Sequence, residues 1–456
     1  VPVRQPTRLD WEFAAGTFGP DAARLPAEYH SPEQTYQLFV PPAYKPGRPA
    51  GLVLFVSPGD EPLGWSAWQK VCGDRDLFFA APYGAGGSAA PGRRVRILLD
   101  VLDDVRRRYS IDPAHTYAAG FDNGAAVACA IAFALPEHFG GVIAISGGAA
   151  PFRLDYLRHR AQDRLSVAVV TGADDSHRGE VEKAFYPLLK DLGIRSRLWV
   201  VPHLGHALPP TATVAEVQGW LASGIPRLLD DARDHPGLVV APEETLTKRA
   251  AAEKMLAEAE AELRKPEQTY RAAALLLGVV SRWESTDAAE RARKLLEDIH
   301  NNPERRRRLA EQAGPEERRT LLARARSLDR IGDAEAAQQA WAQLAKAHPG
   351  TPEGAVATAE ARRLAAIAAA TPFLGVQFVG QTTVVQSVLP HGPADHAGLR
   401  RGDRVLKMGA TATASLAELR EALKRVRPGD KVEFEVQRDG RPMTLTLEVA
   451  TPPEKE

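Results

Sequence analysis

Six short apolar runs recur between Tyr36 and about residue 225: Leu52 to Val56, Leu77 to Ala81, Thr116 to Ala119, Val142 to Ser146, Val167 to Thr171 and Arg197 to Val201. Between them, Arg94 to Tyr109 and Gly179 to Leu192 carry apolar side chains at three-and-four spacing, the period of an amphipathic helix. Strands that alternate with helices in this way pair in parallel, and the helices cover the sheet. The expected architecture of this part is α/β.

A chain of 456 residues is too long for one ordinary core, so several domains are expected. Beyond Pro236 the texture changes: Glu243 to Ala370 is rich in Ala, Leu, Glu and Arg and reads as helical. Offsetting this segment by 65 residues sets Ala272 over Ala337, Leu276 over Trp341 and Thr286 over Thr351, a weak internal repeat. Gly332, Ala337, Trp341 and Pro349 fall at spacings that resemble a tetratricopeptide-type helical hairpin, which implies a spacer or packing platform. From Phe373 to Ala450 strands return, with a helix at Ser415 to Val426 and an Asp439-Gly440 hairpin turn.

Basic and acidic side chains balance at 58 each, so no global field draws the chain to nucleic acid. The run Arg305 to Arg308 is answered by Glu304, Glu311, Glu316 and Glu317 and reads as a solvated helix face. No apolar run approaches the roughly 18 to 20 residues of a membrane span. The sequence starts at Val1 without methionine, from which a removed leader and export to a periplasmic or extracellular space are expected. Cys72 and Cys129 are too few for a disulfide scaffold and are expected as buried free thiols.

The chemistry concentrates at Thr116 to Gly124, which reads Thr-Tyr-Ala-Ala-Gly-Phe-Asp-Asn-Gly: a strand, a glycine-bracketed turn and the start of the small-residue helix Ala125 to Ala134. The side chain at its apex is Asp122, where a hydrolase of this pattern carries a nucleophilic serine. With Tyr36-Gln-Leu-Phe-Val-Pro-Pro-Ala-Tyr44, the strand Leu52 to Val56, Gly172-Ala-Asp-Asp175 and Gly205-His206, residues 36 to 222 resemble the α/β-hydrolase fold. The resemblance is to secreted esterases of the polyhydroxybutyrate depolymerase and feruloyl esterase kind.

That resemblance implies a triad site of Asp122, Asp175 and His206, with Asp174 the other choice of acid and a small-molecule or ester-type ligand in the pocket. It implies an oxyanion hole from the amides of Asn123 and Gly59, because Pro58 has no amide hydrogen to give. It also implies that the helices of Cys72 and Cys129 flank opposite faces of the sheet, so that no disulfide joins them. Asp122 leaves three expectations open: a site inactive as a serine esterase that binds its ligand, an aspartate-nucleophile hydrolase acting at a saturated carbon, and residual esterase chemistry through another group. Trp65 and Trp68 either wall the pocket or pack their helix.

Phe373-Leu-Gly-Val376, Gly392-Pro-Ala394, Ala397-Gly-Leu399, Gly402-Asp403, Gly429-Asp-Lys-Val432 and Arg438-Asp-Gly440 together resemble a PDZ domain of the bacterial periplasmic protease type. The resemblance implies capture of a peptide or protein C-terminus at Phe373, Leu374, Gly375 and Val376, with a scaffold that acts through this domain alone as a further alternative. No cofactor is expected. No metal site is expected either, because the histidines lack carboxylate or cysteine partners at ligand spacing along the chain. The expected order is an extension over 1–35, an α/β-hydrolase-like domain over 36–235, an all-α spacer over 242–370 and a PDZ domain over 372–451.

Overall fold

Seven strands of the N-terminal half form one sheet in the computed structural model, which describes residues 1–25, 29–149, 155–224, 248–370, 372–423 and 425–451. They are β1 (Tyr36–Phe39), β2 (Ala50–Val56), β3 (Leu77–Pro82), β4 (Ile111–Phe121), β5 (Gly141–Ile145), β6 (Ser166–Gly172) and β7 (Arg195–Val201). Their order across the sheet is β1-β3-β2-β4-β5-β6-β7, with β1 antiparallel and every other pairing parallel. All six expected runs are strands.

Alternation of side chains divides the core. Leu52, Leu54, Phe78, Ala118, Val142 and Val167 pack on one face with α1 (Trp11–Gly16), α3 (Pro91–Arg108) and α4 (Asn123–Ala134). Val53, Phe55, Phe79, Tyr117, Ile143 and Val170 pack on the other with α2 (Trp65–Asp74) and the helix Thr211–Ala222. Cys72 and Cys129 belong to these opposite faces; both are free and wholly buried, and burial pushes each thiol up to about 12. Trp68 lies in the core and Trp65 against the rings of Phe39 and Phe79, at 4.7 and 5.3 Å, so both pack their helix.

The chain divides into two compact units, Val1–Ile331 and Gly332–Glu456. The helical region expected as one spacer over 242–370 therefore falls into both, and its expected border at 235–242 lies outside the described residues. The physical reason is a seam of ion pairs with very little exposed surface. Arg282 meets Asp10 at 2.8 Å and Glu137 at 2.6 Å, Arg158 meets Glu316 at 2.6 Å, and Arg160 meets Glu258. These pairs fasten helices Lys248–Leu263, Thr269–Arg282 and Pro303–Ile331 to the α/β layers. The first 35 residues are fastened too: Arg8 pairs with Asp103 at 2.6 Å, the Tyr29 hydroxyl donates to Asp100, and the Arg4 amide donates to Asp104 at 3.0 Å.

The 65-residue offset reappears in hydrogen bonding. Thr286 accepts from the Ala289 amide and donates to the Trp283 carbonyl, at 3.2 and 2.8 Å. Thr351 accepts from the Gly354 amide and donates to the His348 carbonyl, at 3.1 and 2.9 Å. Thus the hairpin Thr269–Arg282 to Asp287–Asn301 in the first unit and Ala334–Ala347 to Pro352–Ala370 in the second share one cap.

In the second unit, β8 (Val376–Phe378) pairs, among the described residues, with β9 (Val385–Val388) alone, and β10 (Arg404–Met408), β11 (Thr411–Ala412), β12 (Lys431–Arg438) and β13 (Arg441–Glu448) form an antiparallel sheet. Asp403 and Arg438, 2.7 Å apart, join two of the sequence motifs, and Arg438 also donates to the Gly398 carbonyl.

Candidate functional site

β4 leads into α4 through a turn that only small flanking residues permit. A Cβ on Gly120 would lie 2.3 Å from the Gly124 carbonyl oxygen, and one on Gly124 would lie 2.3 Å from that of Val56. At the apex Asp122 has φ 54° and ψ −126°, a conformation that costs a non-glycine residue about 1–3 kcal/mol. This is the strained elbow expected from the glycine bracket, and it presents a half-buried carboxylate at the carboxyl end of the central strand.

Asp175 follows β6 and His206 follows β7, and they meet: Nδ1 of His206 lies 3.1 Å from Oδ1 of Asp175. Asp175 is buried while His206 is about a third exposed. Burial pushes the Asp175 carboxyl upward. Contacts from Ser146, the His177 amide and His206 outweigh that and hold it below the usual carboxylate range. Ser146 makes no hydrogen bond of ordinary geometry there, whereas the His177 amide donates to Oδ1 at 2.9 Å. The ring of Phe121 lies 4.8 Å from that of His206 and braces it from the elbow side.

The oxyanion-side loop is held from two directions. Ser57 accepts from the Leu63 amide at 2.7 Å, the Pro58 carbonyl from Gly87 at 2.8 Å, and Asp60 accepts from the amide of Gly86 and the hydroxyl of Ser88. Gly59 is exposed at the head of this loop. Asn123 opens α4, so its amide has no acceptor within that helix. Its side-chain oxygen accepts from Nη2 of Arg94 at 3.0 Å.

Two residues that sequence reading passed over belong here. Arg94 is buried, donates from Nε to the Ala85 carbonyl at 2.7 Å and reaches the Ser57 carbonyl at 3.4 Å, so one guanidinium ties the loop to the elbow. Burial depresses its pKa, and the charges of Asp122 and Asp60 oppose that depression. Arg94 stands in the run Arg93-Arg94-Val95-Arg96, four residues before Leu98, and that helical spacing from an apolar position was the available signal. The second is His177, whose Nδ1 lies 3.3 Å from Nδ1 of His206 and 3.6 Å from Oδ1 of Asp175. One donor atom each from Asp122, His177 and His206 lies within 4.8 Å of the other two. No metal site was expected because the histidines lack partners at ligand spacing along the chain; the cluster of Asp122, His177 and His206 draws on three loops that meet in space.

In the second unit Phe373 exchanges backbone hydrogen bonds with Ala450, Leu374 is buried, and Gly375 turns the chain at φ 71° before Val376 opens β8. A cleft of about 490 Å³ runs beside these four residues, with Leu416, Leu419, Arg420 and Leu423 on its other wall.

The PDZ domain family matches residues 372–449. A probable periplasmic serine endoprotease DegP-like of Ectopseudomonas mendocina (strain ymp) is 36% identical over 72 residues, 16% of this chain and 15% of that protein. A protein of the same description from Marinomonas sp. (strain MWYL1) is 31% identical over 70 residues, 15% of each. The chain thus spans about 15% of the length of the curated relatives it matches. Among solved structures, esterase PE8 is 21% identical with a TM-score of 0.33, over 42% of this chain and 98% of that one. A ferulic acid esterase is 14% identical with a TM-score of 0.35, over 42% and 92%. The HtrA-type protease AlgW with decapeptide is 25% identical with a TM-score of 0.19, over 22% and 36%. Residues 372–449 form a PDZ domain. The strand order and the elbow of the first unit are those of an α/β-hydrolase fold.

Proposed function

We propose that the first unit keeps an esterase-like pocket for a small-molecule or ester-type ligand without serine-type ester hydrolysis, and that the PDZ domain captures a peptide or protein C-terminus. The observation that carries this reading is Asp122 in the elbow conformation, within 4.8 Å of a His206 that rests on Asp175. A serine mechanism needs a neutral hydroxyl whose proton passes to the histidine. A carboxylate has no such proton at neutral pH, and its charge opposes an oxyanion forming beside it. Arg94 sets a guanidinium near enough to the elbow for the charge of Asp122 to act on it.

A second reading, nucleophilic attack by Asp122 at a saturated carbon, is favoured by one feature. His206 keeps a carboxylate on Nδ1, as a base that activates water on an ester intermediate requires. Wild type, Asp122→Ser, Asp122→Asn and His206→Ala, assayed against activated esters, alkyl halides and epoxides, separate the two. The expected result is ester turnover in Asp122→Ser alone. Wild-type turnover of a halide or epoxide that vanishes in Asp122→Asn overturns the non-catalytic reading.

At the PDZ domain the edge of β8 away from β9, unpaired among the described residues, offers main-chain groups to an added strand, and the turn at Leu374 to Val376 offers amides to a terminal carboxylate. Peptides with a free C-terminus are expected to bind at least tenfold more tightly than their amidated forms, and Leu419→Asp is expected to abolish the difference. In this reading the helical hairpins act as a tetratricopeptide-like spacer. The reading also puts the protein outside the cytoplasm, in keeping with PDZ relatives described as periplasmic. Fractionation of cells expressing the chain tests that compartment.

A further inference from the structure

We propose that Asp122, His177 and His206 bind a divalent transition cation of the Zn²⁺ class, with Asp175 positioning the two histidines. The proposal deepens the reading of Asp122 as a carboxylate that does not attack, and it rests on that reading.

Three side chains from three separate loops converge: the elbow after β4, the loop after β6 and the loop after β7. Their donor atoms lie within 4.8 Å of one another, in the combination of two imidazoles and one carboxylate that holds catalytic zinc and leaves a coordination position open. Bonds of about 2.0–2.2 Å require the three to draw inward by an ångström or so. His177 and His206 are about half and a third exposed, so their side chains are free to make that adjustment.

Asp175 accounts for the orientation. Its Oδ1 lies 3.1 Å from Nδ1 of His206 and 3.6 Å from Nδ1 of His177, and accepts the His177 amide at 2.9 Å. The two δ nitrogens sit 3.3 Å apart on the side of this one carboxylate, so Asp175 is placed to orient both rings. A carboxylate behind a ligating histidine fixes its tautomer and raises its basicity. A triad needs one histidine on its acid, and a simple ion pair with Asp122 needs one as well. A cation site needs the second, and it needs a carboxylate rather than a hydroxyl at the elbow.

The test is Zn²⁺ titration of the full, tag-free chain after chelator treatment, by calorimetry, with Co²⁺ substitution read by its visible ligand-field absorption. One ion per chain is expected. His177→Ala and His206→Ala are each expected to weaken binding at least 100-fold, Asp122→Ala at least tenfold, and Asp175→Asn about 10–100-fold. His203→Ala, on an exposed histidine outside the cluster, serves as the control, and circular dichroism checks that each variant folds. Absence of stoichiometric binding overturns the site. So does binding as tight as wild type in His177→Ala or in Asp122→Ala. Ester assays of wild type in excess chelator keep the two proposals apart: turnover there sinks the non-esterase reading, whereas inert assays with a blank titration sink only the metal site.

Discussion

Arg282 and Asp122 both place a charge inside the first unit, and the fold treats them in opposite ways. Arg282 has almost no exposed surface; two carboxylates meet it, and the rings of Phe13 and Trp283 lie 4.8 and 4.3 Å from its guanidinium carbon. Asp122 is half-buried on a strained backbone, beside imidazoles that stay open to water. The difference separates charge that fastens helices from charge kept available for a ligand. Closed charge contributes to stability only while each partner remains, and open charge is maintained at some cost to stability.

The strongest way to break this comparison is Arg282→Met. Removing Arg282 takes from the buried Glu137 its 2.6 Å partner and leaves Asp10 with Lys248 alone at 3.3 Å, and a loss of about 3–5 kcal/mol is expected in urea unfolding. Pairing it with Glu137→Gln should recover part of that loss. A loss under 1 kcal/mol would show that the seam does not hold the helices.

Acid should act next. Burial and neighbouring arginines push His138 and His159 down to about 3, from an ordinary value of 6.5. The unfolded chain binds protons there that the folded chain refuses, so this stabilisation is complete above pH 6.5 and is lost progressively toward pH 3. Each histidine is expected to cost on the order of 1–2 kcal/mol between pH 7 and pH 5, measured by unfolding at the two values. A flat profile would mean that these rings charge without penalty.

At the open site the sign reverses. Asp122→Gly is expected to raise stability by about 1 kcal/mol, since glycine takes the elbow conformation without strain at some cost in unfolded-state entropy. A decrease would mean that contacts of the carboxylate outweigh its backbone. Smallest of all, His177→Ala should change stability by less than about 0.5 kcal/mol, as for an exposed side chain.

The sheet was legible because strand period and length are local properties, and each of the six runs announced itself. The elbow was legible for a related reason, its two glycines being demanded by carbonyls 2.3 Å from any added Cβ. Asp175 and His206 came from the family resemblance, which carries the order of acid and histidine along the chain. His177 did not, because Asp122 and His206 sit on other loops, and nothing in the Asp175-Ser-His177 run distinguishes a ligand from a surface ring. Arg94 was visible only by its helical spacing from an apolar position. The seam was invisible for the same reason as His177: Arg282 and Asp10 stand 272 positions apart, and composition reads both as ordinary surface charge.

The two cysteines have a practical consequence. Both thiols are sealed in opposite layers and remain protonated at neutral pH, so alkylating reagents find no reactive thiolate on either. A single cysteine introduced at exposed Glu61, in the loop after β2, would then be the one address at which a fluorophore attaches. The native chain comes ready for single-site labelling, and a dye there would report arrivals at the elbow optically, without any need for turnover.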